Sequence, residues 1–273
     1  MTIVKPQPRK PQHEKRKRLM RVQVNKKHRS HISFSELKTW NECAFKHKLV
    51  YIDQIKEFLG NEYTAFGTAI HHVCEKVVLD EDTDMLCEFN TKFLEELTLL
   101  TEKKVEIKKD LINQMRKQAK HLFSFILPTL KQTFADFKVV SVEERLLVPI
   151  DNSELHFKGF IDLVVKTPDG NHHIIDWKTC SWGWDSRKKT DRMTTYQLTL
   201  YKHFYSIKHS VDPEKIQTHF ALLKRTAKKN NVEIFCVKNG DKKIKNSLKL
   251  LNNALYNIKK KRYIKNRLSC TGG

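Results

Sequence analysis

The hydrophobic positions of this chain switch between helical spacing and strict alternation, and the switches lay out its elements. Ser33, with Glu36 three residues on, predicts a helix start that turns Leu37, Trp40 and Phe45 inward and leaves Cys43 near the helix end. Gly60 to Thr64 predicts a break, and a second helix from about Phe66-Gly67 carries Ala69, Ile70, Val73 and Val77 on one face. Residues 84–100 and 108–127 have apolar positions at helical spacing, and Pro128 is expected to close that region. Alternation then takes over. Residues 138–150 predict a strand, and His156 to Lys178 holds two alternating segments joined by Thr167-Pro168-Asp169-Gly170-Asn171, a β-hairpin with turn chemistry at its centre. A helix over 191–208 follows, then strands over 216–223 and 231–237 and an amphipathic helix over 243–263, apolar at Ile244, Leu248, Leu251, Leu255 and Ile258 and lysine-rich opposite. The order predicts one α/β domain from about 31 to 268, a mixed central β-sheet flanked by helices.

Each hairpin segment carries an acid among apolar neighbours: Asp162 in GFIDLVV and Asp176 in IIDWK. A turn centred on Asp169 sets the two opposite each other, and Lys178 shares the face of Asp176 because side chains alternate. Carboxylates in apolar strands are costly unless paired or bound to a metal, so the residues alone leave a metal site or a salt bridge. His71 and Glu75 lie on one side of their predicted helix, as do Gln197 and Tyr201 of theirs. Trp182 and Trp184, around a glycine and followed by Arg187, Lys188 and Lys189, suit either base stacking with phosphate contacts or a rim loop with semi-buried aromatics.

Charge adds a partner class. The 273 residues hold 52 Lys and Arg against 31 Asp and Glu, a formal net charge of +21. Residues 1–30 contain 11 basic side chains and the single acid Glu14; residues 241–268 contain 10 and the single acid Asp241. Such gathered charge predicts contact with a polyanion, and residues 1–30, almost free of hydrophobes, predict a disordered basic arm. No apolar run reaches the roughly 18–20 residues of a membrane span, so no membrane partner is expected. Cysteines 43, 74, 87, 180, 236 and 270 form no CxxC pair, which fits a reducing, cytoplasmic setting. No phosphate-binding GxxxxGK[ST] loop is present, so an ATP-driven motor would be a separate partner.

Four motifs occur in order: Gly67-Thr-Ala-Ile-His71, Gly159-Phe-Ile-Asp162, Ile175-Asp-Trp-Lys-Thr179 and Gln197-Leu-Thr-Leu-Tyr201, after Ser35-x-Leu37-x-x-Trp40-x-x-Cys43. Together, over about residues 33–205, they resemble a RecB-like nuclease of the PD-(D/E)XK superfamily, with its restriction-endonuclease-like core. The resemblance implies that His71, Asp162, Asp176 and the backbone carbonyl of Trp177 bind one or two divalent cations. It implies that Lys178 positions or helps deprotonate the attacking water, with Asp162 and Asp176 completing the catalytic set. Gln197 and Tyr201 would contact the nucleic acid or brace the site, and Glu75 would stand outside the ligands. Hard oxygens with one imidazole suit Mg²⁺ and tolerate Mn²⁺. The implied activity is a metal-dependent DNA nuclease, an exonuclease on single-stranded ends in recombination, repair or DNA degradation. An RNase, a structure-specific endonuclease, or a non-catalytic adaptor of a helicase–nuclease complex stand as alternatives. Many relatives carry an iron–sulfur cluster on one early cysteine and three late ones. Cys43 and Cys270 alone match, so no complete cluster is expected within this chain.

Overall fold

The fold is taken from a computed structural model that describes residues 29–55 and 58–270. Residues 1–28, most of the expected basic arm, lie outside the described residues. Six strands form one mixed sheet: β1 (His31–Ser33), β2 (Lys138–Pro149), β3 (His156–Lys166), β4 (His172–Cys180), β5 (Ile216–Lys224) and β6 (Val232–Cys236). β3 pairs antiparallel with β2 and β4, β4 runs parallel to β5, and β5 turns back antiparallel to β6. The parallel β4–β5 pair requires a crossover, supplied by α6 (Ser186–Thr190) and α7 (Arg192–His209).

Helices cover both faces. On one side α3 (Glu62–Leu79), α4 (Met85–Glu102) and α5 (Lys109–Thr133) build a core that includes Phe66, Phe89, Phe93 and Trp177. On the other, α1 (Phe34–Glu42), α7 and α8 (Asp241–Lys259) enclose Phe157, Phe204, Phe220 and Leu251. Alternation along β4 and β5 serves both: Ile174, Phe220 and Leu222 enter the second core, while Ile175, Ala221 and Leu223 enter the first.

Three boundaries differ from the sequence expectation. α3 begins at Glu62, before Phe66, because Asn61 and Thr64 exchange side-chain hydrogen bonds with each other's backbone N–H and cap the helix a turn earlier. α5 continues through Pro128 to Thr133, and the buried Leu130 and Phe134 hold its last turn against the core. At the N-terminus, Ser33 accepts a hydrogen bond from Glu36 N at 3.2 Å, yet Glu36 does not return it. Its carboxylate turns inward to Nε2 of buried His47 at 2.7 Å and to Arg29. α1 then stops at Cys43, which caps the four-residue α2 (Ala44–His47), so Trp40 and Phe45 are only half-buried. Cys43 itself is buried, and its Sγ receives the Asn266 N–H at 3.3 Å from the returning C-terminal segment.

Candidate active site

The hairpin turn closes as its residues demand. Thr167 O accepts from Gly170 N at 2.9 Å, Gly170 takes φ +83°, and Asp169 receives the Asn171 N–H. From there the β3–β4 ladder runs only from Lys166↔His172 to Leu163↔Ile175. β2 fills one edge of β3 along its length, and on the other edge His156–Lys158 pair with β1. Residues 159–162 are left between two partners, and the functional side chains gather at that gap.

Asp162, one step past the last ladder pair, accepts the Trp177 N–H at 2.7 Å. Asp176 receives Gln197 Nε2 on Oδ1 at 2.7 Å, while Lys178 Nζ lies 2.5 Å from Oδ2. That oxygen has no aligned hydrogen bond and is held by charge. His71, two turns into α3, brings Nδ1 to 3.6 Å from Asp162 Oδ2. The side chains grade from closed to open: Asp176 is 2% exposed, Asp162 15%, His71 29% and Lys178 31%. His71 opens on a cleft of about 730 Å³ that Glu75, Tyr63, Lys92, Glu143 and Thr179 also line.

Burial, then the Asp176 charge, pushes the Asp162 carboxyl well above its ordinary range, against the opposing Lys178 charge and Trp177 N–H. Burial also raises Asp176, with Lys178 opposing. Burial alone would lower the Lys178 ammonium, but the Asp176 and Asp162 carboxylates outweigh it and hold Lys178 above its usual value. Burial and the Lys178 charge depress His71 to about 4, although the ring is hydrogen-bonded to the Trp177 backbone. The imidazole is therefore neutral near pH 7, with a lone pair to donate.

These groups fit a hard divalent cation. Two carboxylates share one ammonium, one carboxylate oxygen lacks an aligned donor, and a neutral imidazole stands beside them. Among the described residues no three His, Cys, Asp or Glu side chains already converge on one point. The Lys178 ammonium lies against the Asp176 carboxylate.

Gln197 and Tyr201 stand behind the carboxylate. Gln197 bridges Asp176 and the Tyr201 hydroxyl, the latter at 3.4 Å, and the Tyr201 ring is 6% exposed. This placement ties the Gln197 amide and the Tyr201 hydroxyl to the Asp176 carboxylate from behind. Lys189 is ion-paired with Glu233, Lys188 lies over the Trp184 ring at 4.8 Å, and Arg187 is exposed on α6. Glu75 lines the cleft one turn beyond His71.

Glu143 is the residue that sequence reasoning passed over. It lines the same cleft from β2 in a left-handed conformation, φ +46°. Burial, then Glu75 and Asp176, raises its carboxyl. The available signal was an acid within an alternating strand, the signal that picked out Asp162. Its neighbour Glu144 shows the ordinary fate of such an acid, bound to Lys208 and His209 away from the cleft.

Residues 31–269 match the PD-(D/E)XK nuclease superfamily, and the chain belongs to that family. Nucleases of this superfamily generally use divalent metals such as Mg²⁺. Among solved structures, an Eubacterium rectale protein named only provisionally as an exonuclease is similar in fold, with a TM-score of 0.55 at 13% identity over 85% of this chain and 79% of that one. The crystal structure of SSO0001 aligns at a TM-score of 0.33 and 12% identity, over 81% of this chain and 84% of that one. No curated protein matches the chain. Among the described residues no helix is long and apolar enough to cross a membrane.

Proposed function

We propose that this chain is a divalent-metal-dependent deoxyribonuclease of the RecB-like branch, acting as an exonuclease on single-stranded DNA ends. One observation carries the reading: two crowded carboxyl groups and an ammonium gather where the β3–β4 ladder ends, beside a neutral imidazole that lines an open cleft. Asp162, Asp176, His71 and the Trp177 carbonyl would hold Mg²⁺ or Mn²⁺. A bound ion supplies Lewis acidity toward a phosphate oxygen and lowers the pKa of water. Lys178, charged and on the face of Asp176, orients the attacking water and offsets phosphate charge. Gln197 keeps the Asp176 carboxylate turned toward Lys178. Lys92 and the lysines of α8 add a sequence-independent, salt-dependent grip on the phosphate backbone. The single-stranded, exonucleolytic preference rests on the resemblance to RecB-like nucleases.

The test incubates end-labelled linear strands, circular single strands, duplex DNA and RNA with Mg²⁺, Mn²⁺ or EDTA. Wild type is compared with Asp176→Ala and Lys178→Ala. Metal-dependent loss of the linear strand, abolished in both variants, is expected. Equal traces of cleavage from all three proteins would defeat the enzyme reading. Circles cut as fast as linear strands would remove the exonuclease claim.

A further inference from the structure

We propose that the rim of this cleft is a stacking site for the unpaired bases of a single strand, formed by Tyr63 and Trp182 and joined through Arg225. The inference rests on the nuclease reading for its substrate class and deepens it by naming residues that select unpaired over paired nucleic acid.

The loop after β4 treats its two tryptophans oppositely. Trp184 packs edge-on against Phe220 and Phe235, with centroids at 5.0 and 6.2 Å, under the Lys188 ammonium. Trp182 is 75% exposed. Gly183 between them takes φ +116°, a backbone that favours glycine, and a Cβ there would meet Lys224 Cδ at 3.0 Å. A lone exposed aromatic is ordinary. Trp182 is not alone, because its loop is tied to a second exposed aromatic in the cleft. Tyr63, 49% exposed in the first turn of α3, lines the cleft beside His71.

Arg225 makes the tie. Its guanidinium lies 4.9 Å from the Tyr63 ring centroid, donates to Ser181 Oγ at 3.0 Å, and donates to Gln118 Oε1 at 3.0 Å. Its backbone N–H goes to Cys180 O, and Thr226 bonds Ser181 O through both its N–H and its hydroxyl. Those bonds hold residues 180 and 181, immediately before Trp182, in place. The rim therefore offers the Tyr63 and Trp182 rings and a fixed cation, and Trp182 lies four residues past Lys178, just beyond the end of β4.

That chemistry suits nucleobases more than a phosphate backbone. Every base presents a π-face, aromatic side chains accept it without regard to sequence, and guanidinium planes add to it. In a duplex the faces are occupied by neighbouring bases, so only an unpaired strand can use the rim.

The test measures binding of the full chain in EDTA, where no metal-dependent cleavage interferes, by anisotropy of labelled DNA. Tyr63→Ala and Trp182→Ala should each weaken single-strand binding by roughly 5- to 100-fold and duplex binding by less than about twofold. Trp182→Phe should retain most of the affinity. A strand with abasic sites keeps its phosphates and loses its bases. Wild type should bind it as weakly as the Tyr63→Ala/Trp182→Ala double variant binds the normal strand, and neither substitution should then weaken it further. Unchanged single-strand binding, equal losses on strand and duplex, or a full effect that persists on the abasic strand would each overturn the proposal. If the rim fails this test while cleavage still depends on Asp176, the stacking site alone falls. If selective binding is seen while Asp176→Ala cuts like wild type, the nuclease reading alone falls.

Discussion

Gly159→Ala tests how the carboxylate is braced. A Cβ at Gly159 would stand 2.7 Å from Tyr201 Cε1 and 3.3 Å from Cζ, well inside ordinary contact. The Tyr201 ring is buried and meets Phe157 edge-on, with centroids 6.3 Å apart, so it has little room to retreat. Overpacking of this kind costs about 1–3 kcal/mol. At roughly 2–4 °C per kcal/mol for a domain of this size, the melting midpoint should fall by about 2–12 °C. The displaced ring carries the hydroxyl that touches Gln197, and Gln197 holds Asp176 at 2.7 Å. A misplacement approaching 1 Å near a reacting centre costs on the order of 100-fold, so metal-dependent cleavage should fall by about 10- to 100-fold, chiefly in kcat. Thermal melts and initial rates on a labelled strand measure both effects. Tyr201→Leu added to Gly159→Ala should restore most of the stability and little of the rate. A Gly159→Ala protein that melts and cuts like wild type would refute the brace.

Four further outcomes follow from the same geometry. In EDTA, the raised Asp162 carboxyl holds a proton in the folded chain that the unfolded chain has released above its ordinary pKa of about 3.9. Its contribution is thus lost as pH rises through the folded-state value, and the melting midpoint of wild type relative to Asp162→Asn should decline over that window. His71, depressed to about 4, has the opposite sign: its stability is lost as pH falls from about 6.5 to about 4, and His71→Asn should flatten that limb in a pH series of melts. Glu143→Gly relieves a left-handed backbone worth about 1 kcal/mol and should leave the midpoint unchanged or higher, whereas Glu144→Gly breaks the Lys208 and His209 contacts in an extended strand and should lower it by a comparable amount. Mg²⁺ at about 100 times its Kd should stabilise wild type by roughly 2.7 kcal/mol and Asp176→Ala far less, as read by thermal shift.

Most of this molecule is legible along the chain because its periods are clean. The apolar face of α3, the alternation of β3 and β4 and the turn chemistry at residues 167–171 each state their structure within a few residues, and the two strand acids and Lys178 stand out against that pattern. Helix ends were less legible. Asn61 and Thr64 cap α3 by reciprocal side-chain bonds that compete with the break expected from Gly60, and α5 survives Pro128 because its last turn is buried. The capping pattern at Ser33 and Glu36 was half right, because His47 and Arg29 compete for the Glu36 carboxylate.

Local sequence singled out the candidate site residues: Asp162, Asp176 and Lys178 among hydrophobic neighbours, and His71 within an apolar helix. It also determined that Asp176 and Lys178 share a face, since alternation is a property of one strand. The relation of Asp162 to Asp176 was decided by the tertiary structure. The simple hairpin sets them opposite, but the ladder ends at Leu163↔Ile175 because β3 pairs with β1 over His156–Lys158, and Asp162 turns to the Trp177 N–H instead. Residues of equal parity on β3 change core across that point, Phe157 and Ile161 facing one side and Leu163 and Val165 the other. Period alone cannot foresee such a change, because it depends on which distant segment claims the strand edge. Tertiary packing likewise sets His71 and Tyr63 of α3 beside Glu143 of β2 in one cleft, with Arg225 against the Tyr63 ring.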